Sequence, residues 1–273
     1  EDARFRCYVE AWAERGLLAP WRPDGEPGAP WWVAVPGMSA LGRALAGDVD
    51  RRQPCRIARV AREGDGWRLT DEAGTDQGRF DAVVVATPSP QAVPLLADAP
   101  ELAAAAGRAV MAPGWTALFA FDAPLALDHV VHPVGGPIAM LARNGSKPGR
   151  DGGESWVVHA RSDWSRRHLE DDADTVAQAL FAAFAGAVGG DPPPPRYAGA
   201  HRWRYAGVET PVGAPCLFDR AGLVAACGDW CLGPGVEAAF LSGAAAAGRI
   251  LDAAVSRQRA SGDLSLQDYR LTV

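Results

Sequence analysis

The chain is poor in the residues from which metal centres and disulfide frameworks are built, with five histidines and five cysteines in 273 residues. The cysteines, Cys7, Cys55, Cys216, Cys227 and Cys231, are odd in number and scattered, which does not describe a disulfide scaffold and suits a reducing compartment. Only Cys227 and Cys231 are near neighbours, and a C-x3-C pair without nearby histidine is a weak zinc candidate, so all five read as small core residues. An uninterrupted run of about 18 apolar residues is missing, and no membrane span is expected. The first residues, "EDARFRCYVEAW", lack the basic and apolar regions of a secretory signal, which leaves a cytoplasmic location as the expectation. Basic residues are outnumbered, 27 against 33 acidic ones, and the net charge of -6 argues against a general nucleic-acid surface. There is no H-E-x-x-H, no paired C-x-x-C and no spacing that supports a Ser-His-Asp triad. A G-x-G-x-x-G turn is also missing: "GEPG" at 25–28 and "GPG" at 233–235 have the wrong spacing and context.

What is present is a globular composition, 48% hydrophobic and 22% charged, with ten tryptophans as its unusual feature. Residues 1 to 19 read as a helix with Phe5, Val9, Trp12 and Ala13 on one face, followed by a Gly/Pro-rich loop, "PWRPDGEPGAP". "WWVAVPGMSALGRALAG" reads as a strand, a Pro36-Gly37 turn and a helix capped near Ser39. "CRIARVAREG" and "GWRLTDEAG" flank Gly64-Asp65-Gly66, a hairpin signal. "FDAVVVATP" is a continuous apolar run, the pattern of a strand buried on both faces. From about Gly107 the texture changes to strand-like pieces separated by Gly and Pro turns, with one helix from about Asp172 to Val188. That is the pattern of an inserted α+β antiparallel unit. "GLVAACGD" then reads as a second buried strand, followed by an alanine-rich helix. The expected divisions are residues 1–106, 107–221, 222–255 and a tail, 256–273.

The stretch "CGDWCLGPGVEAAFLSGAAAAGRIL", residues 227–251, carries the chemistry. A buried strand ending in Gly228-Asp229, then a turn and a helix, places a carboxylate at the carboxyl edge of a sheet, where α/β proteins bind ligands. Gly228 permits close approach to the backbone, and Pro234 and Gly235 fit a tight turn before the helix opens at Val236 and Glu237. The free N–H groups and positive dipole end of that helix suit an electron-rich ligand. An ordinary strand-to-helix turn with a capping aspartate explains the same residues equally well from physics alone.

The stretch resembles the C-terminal flavin-binding motif of the amine oxidase superfamily of FAD-dependent oxidoreductases. "PGMSALGRALAG", "CRIARV", "FDAVVVATPSPQAVPLL", "ARNGSKPGR", "WSRRHL" and "HRWRYA" fall in the order of its bacterial renalase-like branch. The resemblance implies an α/β FAD-binding Rossmann-like domain interrupted by an α+β antiparallel-sheet substrate domain. It implies that Asp229 and Gly228 meet the ribityl chain of FAD and that Val236, Glu237 and Ala238 present N–H groups to the flavin. Ile57 would lie near the adenine, and Ala86, Thr87 and Pro88 beside the dinucleotide. Against the family pattern, the N-terminal βαβ unit of roughly sixty residues is not in this sequence. The implied reaction is hydride transfer to flavin from a reduced nicotinamide-like compound or an amine, with reoxidation by O2 to hydrogen peroxide. The other reading is a noncatalytic fragment with at most a structural or interaction role. On the strand "AHRWRYA", His201, Trp203 and Tyr205 share one face and are weak candidates for the substrate side, against core packing. His159 reads as a core histidine.

Overall fold

The computed structural model describes residues 2–24, 28–47, 49–128, 130–133, 135–150 and 153–261. In chain order the elements are α1 (Ala3–Glu14), β1 (Leu18–Trp21), β2 (Trp31–Ala34), α2 (Met38–Ala46), β3 (Ile57–Glu63), β4 (Gly66–Asp71), β5 (Asp76–Phe80), β6 (Val83–Val85), α3 (Ser89–Leu95) and α4 (Pro100–Ala106). They continue with β7 (Val110–Phe121), β8 (Val130–Val131), β9 (Ile138–Arg143), β10 (Glu154–Ala160), α5 (Ser162–Arg167), α6 (Ala173–Ala187), β11 (Tyr197–Thr210), β12 (Leu217–Asp219), β13 (Val224–Ala226), α7 (Asp229–Leu232) and α8 (Val236–Ser261). The mixed α/β architecture with antiparallel sheets is the one expected. Two compact units arise: Glu1–Phe5 with Asp48–Met111 and Gly207–Val273, and Arg6–Gly47 with Ala112–Ala206.

The first unit holds the two strands that read as buried. Val224, Ala225 and Ala226 of β13 pair in parallel with Val83, Val84 and Val85 of β6, and β12 flanks β13 antiparallel. Parallel neighbours need a long crossover, and here the whole intervening chain supplies it. Valine and alanine suit β13 because both its faces are covered, and all three residues are buried. The expectation for β6 was only half right: Val85 is buried, but Val84 is 45% exposed. Its sheet, ordered β12-β13-β6, leaves β6 as the outer strand with one face open. The meander β3-β4-β5 packs beside it. The predicted hairpin is present, and β5 is an additional strand whose polar run "DQGRF" carried no alternating signal. The Trp67 indole N–H donates to the Gly222 carbonyl at 2.7 Å, tying the meander to the turn before β13.

The second unit is built on a five-stranded antiparallel sheet ordered β11-β7-β10-β9-β8. Trp156, Phe119, Phe121 and Phe184 fill its core, with α6 supplying Leu180 and Phe184. The Asp172 carboxylate accepts from the Thr175 N–H at 2.9 Å and starts α6 where expected. The helix expected over residues 1 to 19 ends at Glu14, and Leu18–Trp21 turns back as a strand on β2. Gly16, at φ +70, makes that reversal. The helix α2 begins after Gly37 with no side-chain cap, so Ser39 is not its cap. Residues 6–47 therefore do not group with the 48–111 segment as the expected 1–106 division had it. Trp21 and Val33 share a buried cluster with Val130 and Ala142 of the inserted sheet. The segment 144–150 docks on this corner: a Cβ at Gly149, φ +70, would lie 2.6 Å from Val35 Cγ1, so only glycine fits. In the expected tail, α8 continues to Ser261, and residues 262–273 lie outside the described residues.

Candidate cofactor-binding site

The carboxyl ends of β6 and β13 lie side by side, since the Cys227 N–H donates to the Val85 carbonyl at 3.0 Å. Each strand then turns outward into a helix, β6 through Ala86, Thr87 and Pro88 into α3, and β13 through Gly228 into α7. This edge is where an open α/β sheet receives ligands, because two diverging connections leave a crevice between them. Asp229 stands at it, half-buried, its Oδ1 accepting from the Trp230 N–H at 2.8 Å. One carboxylate oxygen is thus engaged in a local turn, and the group keeps further acceptor capacity for a ligand hydroxyl.

The fold itself gives a reason for glycine at 228. A Cβ there would stand 2.5 Å from the Trp230 indole nitrogen and 2.7 Å from its Cδ1, so the side chain that excludes a substituent belongs to the protein itself. The Gly228 N–H donates to the buried Ser242 hydroxyl of α8 at 3.1 Å. Ser242 is therefore more than a small residue for close helix packing: it fastens the turn to the helix. The α7 helix was not foreseen, because four residues carry no periodicity.

Trp230 crosses the crevice floor and its indole N–H donates to the Thr87 carbonyl at 3.0 Å. The Thr87 hydroxyl is buried with no hydrogen-bond partner among the described residues. Buried hydroxyls are rarely left so, and this one keeps its hydrogen-bonding capacity unspent at the strand end. Ala86 is exposed and Pro88 half-buried at the same edge. Ile57, at the start of β3, lines a separate small cavity of about 170 Å³ with Leu69, Phe80 and Val84. Arg52 and Gln77 also line it, so its walls are mixed in polarity.

The α8 helix opens after Gly235, at φ +115, whose carbonyl accepts from the Ala239 N–H at 3.1 Å. Val236 is 64% exposed and Ala238 half-buried, so the first turn is open. The Glu237 carboxylate accepts a hydrogen bond from the Asp2 N–H, which holds its side chain on the protein. Over Val236–Arg257 the mean hydropathy reaches 1.3, which by length and composition is enough to cross a membrane. Ser242, Ala246, Ala253 and Ala254 form its buried stripe.

His201, Trp203 and Tyr205 lie on β11 in the second unit. His201 and Trp203 meet edge to face with centroids 4.3 Å apart, so they share a side. His201 and Trp203 are exposed, Trp203 at 52%, and Tyr205 is half-buried. Arg202 and Arg204 on the opposite side pair with Glu170. His159 faces Thr116, with Nδ1 3.2 Å from Oγ1, and burial followed by the Lys147 charge pushes its pKa down. Lys147 in turn sits 5.3 Å from the Trp21 ring, its pKa lowered by burial and then by Arg150. His159 read from the sequence as a core histidine, and its half-burial agrees; Lys147 carried no sequence signal, and the neighbours of both come from β7, β1 and the 144–150 segment. Among the described residues no group of His, Cys, Asp or Glu could hold a metal ion.

The fold is that of the FAD-binding amine oxidases. The family described as flavin containing amine oxidoreductase matches residues 17–251, and the chain belongs to it. Solved structures agree in fold. A candidate protoporphyrinogen oxidase from Exiguobacterium sp. 255-15 aligns with TM-score 0.63 and 18% identity, over 83% of this chain and 54% of that one. Cyclohexylamine oxidase from Brevibacterium oxydans IH-35A aligns with TM-score 0.59 and 15% identity, over 82% and 55%. A cofactor-binding triple mutant of putrescine oxidase aligns with TM-score 0.56 and 12% identity, over 79% and 52%. The chain thus spans about half the length of the structures it matches.

Proposed function

We propose that this chain acts in an FAD-dependent oxidoreductase of the renalase-like kind, taking hydride from a reduced nicotinamide-like compound or an amine and passing electrons to O2. The observation that carries the reading is the Thr87 hydroxyl, buried without a partner among the described residues where β6 ends, with Asp229 following the end of the neighbouring β13. A polyhydroxylated dinucleotide satisfies both groups at once.

When bound, the flavin supplies a hydride acceptor that oxygen reoxidises with release of hydrogen peroxide. The chain's own residues bind and orient. The Asp229 carboxylate accepts from a ribityl-type hydroxyl, and the Thr87 hydroxyl exchanges a hydrogen bond with the dinucleotide. The free amides of the first α8 turn, at Val236, Glu237 and Ala238, offer fixed donors to negative charge, needing no rearrangement as the charge develops. The Ile57 slot shields an aromatic base from water. His201, Trp203 and Tyr205 form an aromatic surface for the donor, whose transfer needs positioning rather than an obligatory acid or base. A cytoplasmic setting fits the unpaired cysteines.

The test is spectroscopic. The purified 273-residue chain is scanned for the near-ultraviolet and blue flavin bands, then titrated with FAD. Uptake supports the reading; a colourless protein that takes up none supports instead a noncatalytic structural or interaction unit. Anaerobic mixing of the loaded protein with a dihydronicotinamide or with an amine then identifies the donor by flavin bleaching.

A further inference from the structure

Two of the five thiols pack in one cluster at the end of a strand ladder next to the crevice. The β12–β13 register opposes Leu217 to Ala226, Phe218 to Ala225 and Asp219 to Val224. The ladder ends at that first pair, and continuing its register by one step sets Cys216 opposite Cys227, just outside both strands. The two cores on either side of the sheet agree. Leu217, Val224 and Ala226 pack on one face with Trp67, while Cys216, Phe218, Ala225 and Cys227 pack on the other with Ala246 and Ile250 of α8.

The backbone bonds settle which kind of pair this is. The Cys227 N–H donates to Val85 and the Leu223 carbonyl accepts from Val83, both at 3.0 Å. Residues 223, 225 and 227 therefore direct their backbone groups toward β6, and those of 224 and 226 face β12. In the continued register Cys216 and Cys227 fall at a non-hydrogen-bonded position, where opposed Cα atoms approach to about 4.5 Å and side chains are closest, and the two share one packed cluster. That separation lies inside the range of about 4.4 to 6.8 Å that a disulfide spans.

We infer that Cys216 and Cys227 are a disulfide-forming pair, a redox modification site that staples β12 to the residue immediately before the Gly228-Asp229 turn. The oxidant class is a small-molecule disulfide. The Cys216 thiolate attacks one of its sulfurs, the S–S bond breaks and one small thiol leaves. The Cys227 thiolate then attacks the Cys216 sulfur of the mixed disulfide, releasing the second small thiol. The protein pair loses two electrons and two protons, and the small disulfide gains them. Cys216 is half-buried and lines an open concavity of about 770 Å³ with Arg4, Leu241 and Arg249, which admits the oxidant; Cys227 is buried behind it. Burial raises the Cys216 thiol and pushes Cys227 up to about 11, which keeps the pair reduced and slow at neutral pH.

The staple would act on the crevice through both its ends. Cys227 precedes Gly228, and the segment before Cys216 holds α7: the Val212 N–H donates to the Trp230 carbonyl at 3.0 Å and the Gly213 N–H to Cys231 at 2.9 Å. Cys231 is outside the ladder, on α7, with its sulfur 4.0 Å from the Ala226 carbonyl.

The experiment treats the native full chain with oxidised glutathione at mildly alkaline pH, quenches with acid and maps tryptic peptides by fragmentation mass spectrometry. Cleavage after Arg204, Arg220 and Arg249 leaves Cys216 and Cys227 on separate peptides, with Cys231 beside Cys227. The expected product is a cross-linked peptide pair with fragment ions locating the bond at Cys227, retained in Cys231→Ser. In Cys227→Ala the expected product is a stable glutathione adduct on Cys216. A wild-type product carrying glutathione on Cys216 without a cross-link, or one linked through Cys231, overturns the inference. The wild-type map decides by itself if Cys227→Ala does not fold.

Discussion

The Trp230 indole donates to the Thr87 carbonyl at 3.0 Å, joining residues 143 positions apart in sequence across the ends of two parallel strands. The same indole occupies the space above Gly228. One side chain thus sets the spacing of the two turns and dictates the glycine between strand and carboxylate. Four expectations follow from this arrangement and its surroundings.

Replacing Trp230 by Phe keeps much of the packing and removes the N–H. The Thr87 carbonyl loses its donor, so unfolding free energy should fall by about 1 to 2 kcal/mol. Chemical denaturation of both proteins measures it. No change would mean that the bond contributes nothing to joining the strand ends.

Gly228→Ala places a methyl group 2.5 Å from the Trp230 nitrogen. The indole must move, which costs about 1 to 3 kcal/mol as an overpacked site does. The loss should be present without any flavin, because the clash is internal to the protein. The thermal midpoint of the apoprotein tests this directly; a midpoint equal to wild type would show that the indole swings aside freely.

Asp229→Ala should weaken FAD binding by about 1 to 3 kcal/mol, the range for a hydrogen bond to a charged group. Asp229→Asn keeps the acceptor for the Trp230 N–H and separates the local turn from the ligand contact. Titration followed by flavin fluorescence reads both. Equal affinity in all three proteins would remove Asp229 from the site.

The half-buried histidine of the second unit carries a pH signature. The His159 pKa is lowered in the folded protein by burial, then by Lys147. Below about pH 6.5 the unfolded chain binds this proton and the folded chain resists it, so stability falls as pH falls through that value and is full above it. His159→Gln should flatten part of the slope of unfolding free energy between about pH 7 and 5. An unchanged slope would mean that the ring protonates as readily in the folded state.

The strands β6 and β13 were legible because four-residue runs of valine and alanine bounded by turns have few other uses. The crevice candidate was legible because Gly228-Asp229 ends one of them. The opening helix of the second unit was overextended: "LAPW" has no alternation that separates it from a helix end, and only pairing with Trp31–Ala34 makes it a strand. The strand pattern around His159 pointed to core packing, and the structure half-buries it against Thr116; the surroundings of Lys147 were not legible, because Trp21 arrives from over 120 residues away.

Local chemistry alone determined where the chain turns, which runs are apolar enough to become strands, and that a carboxylate follows a glycine at the end of one. Contacts between distant segments decided the rest. They chose Trp230 as the reason for Gly228, left the Thr87 hydroxyl without a partner among the described residues, exposed Trp203 and brought Cys216 and Cys227 into one packed cluster. Periodicity reports a residue's near neighbours along the chain. Burial, pairing and unpaired polar atoms depend on which remote segments arrive beside it.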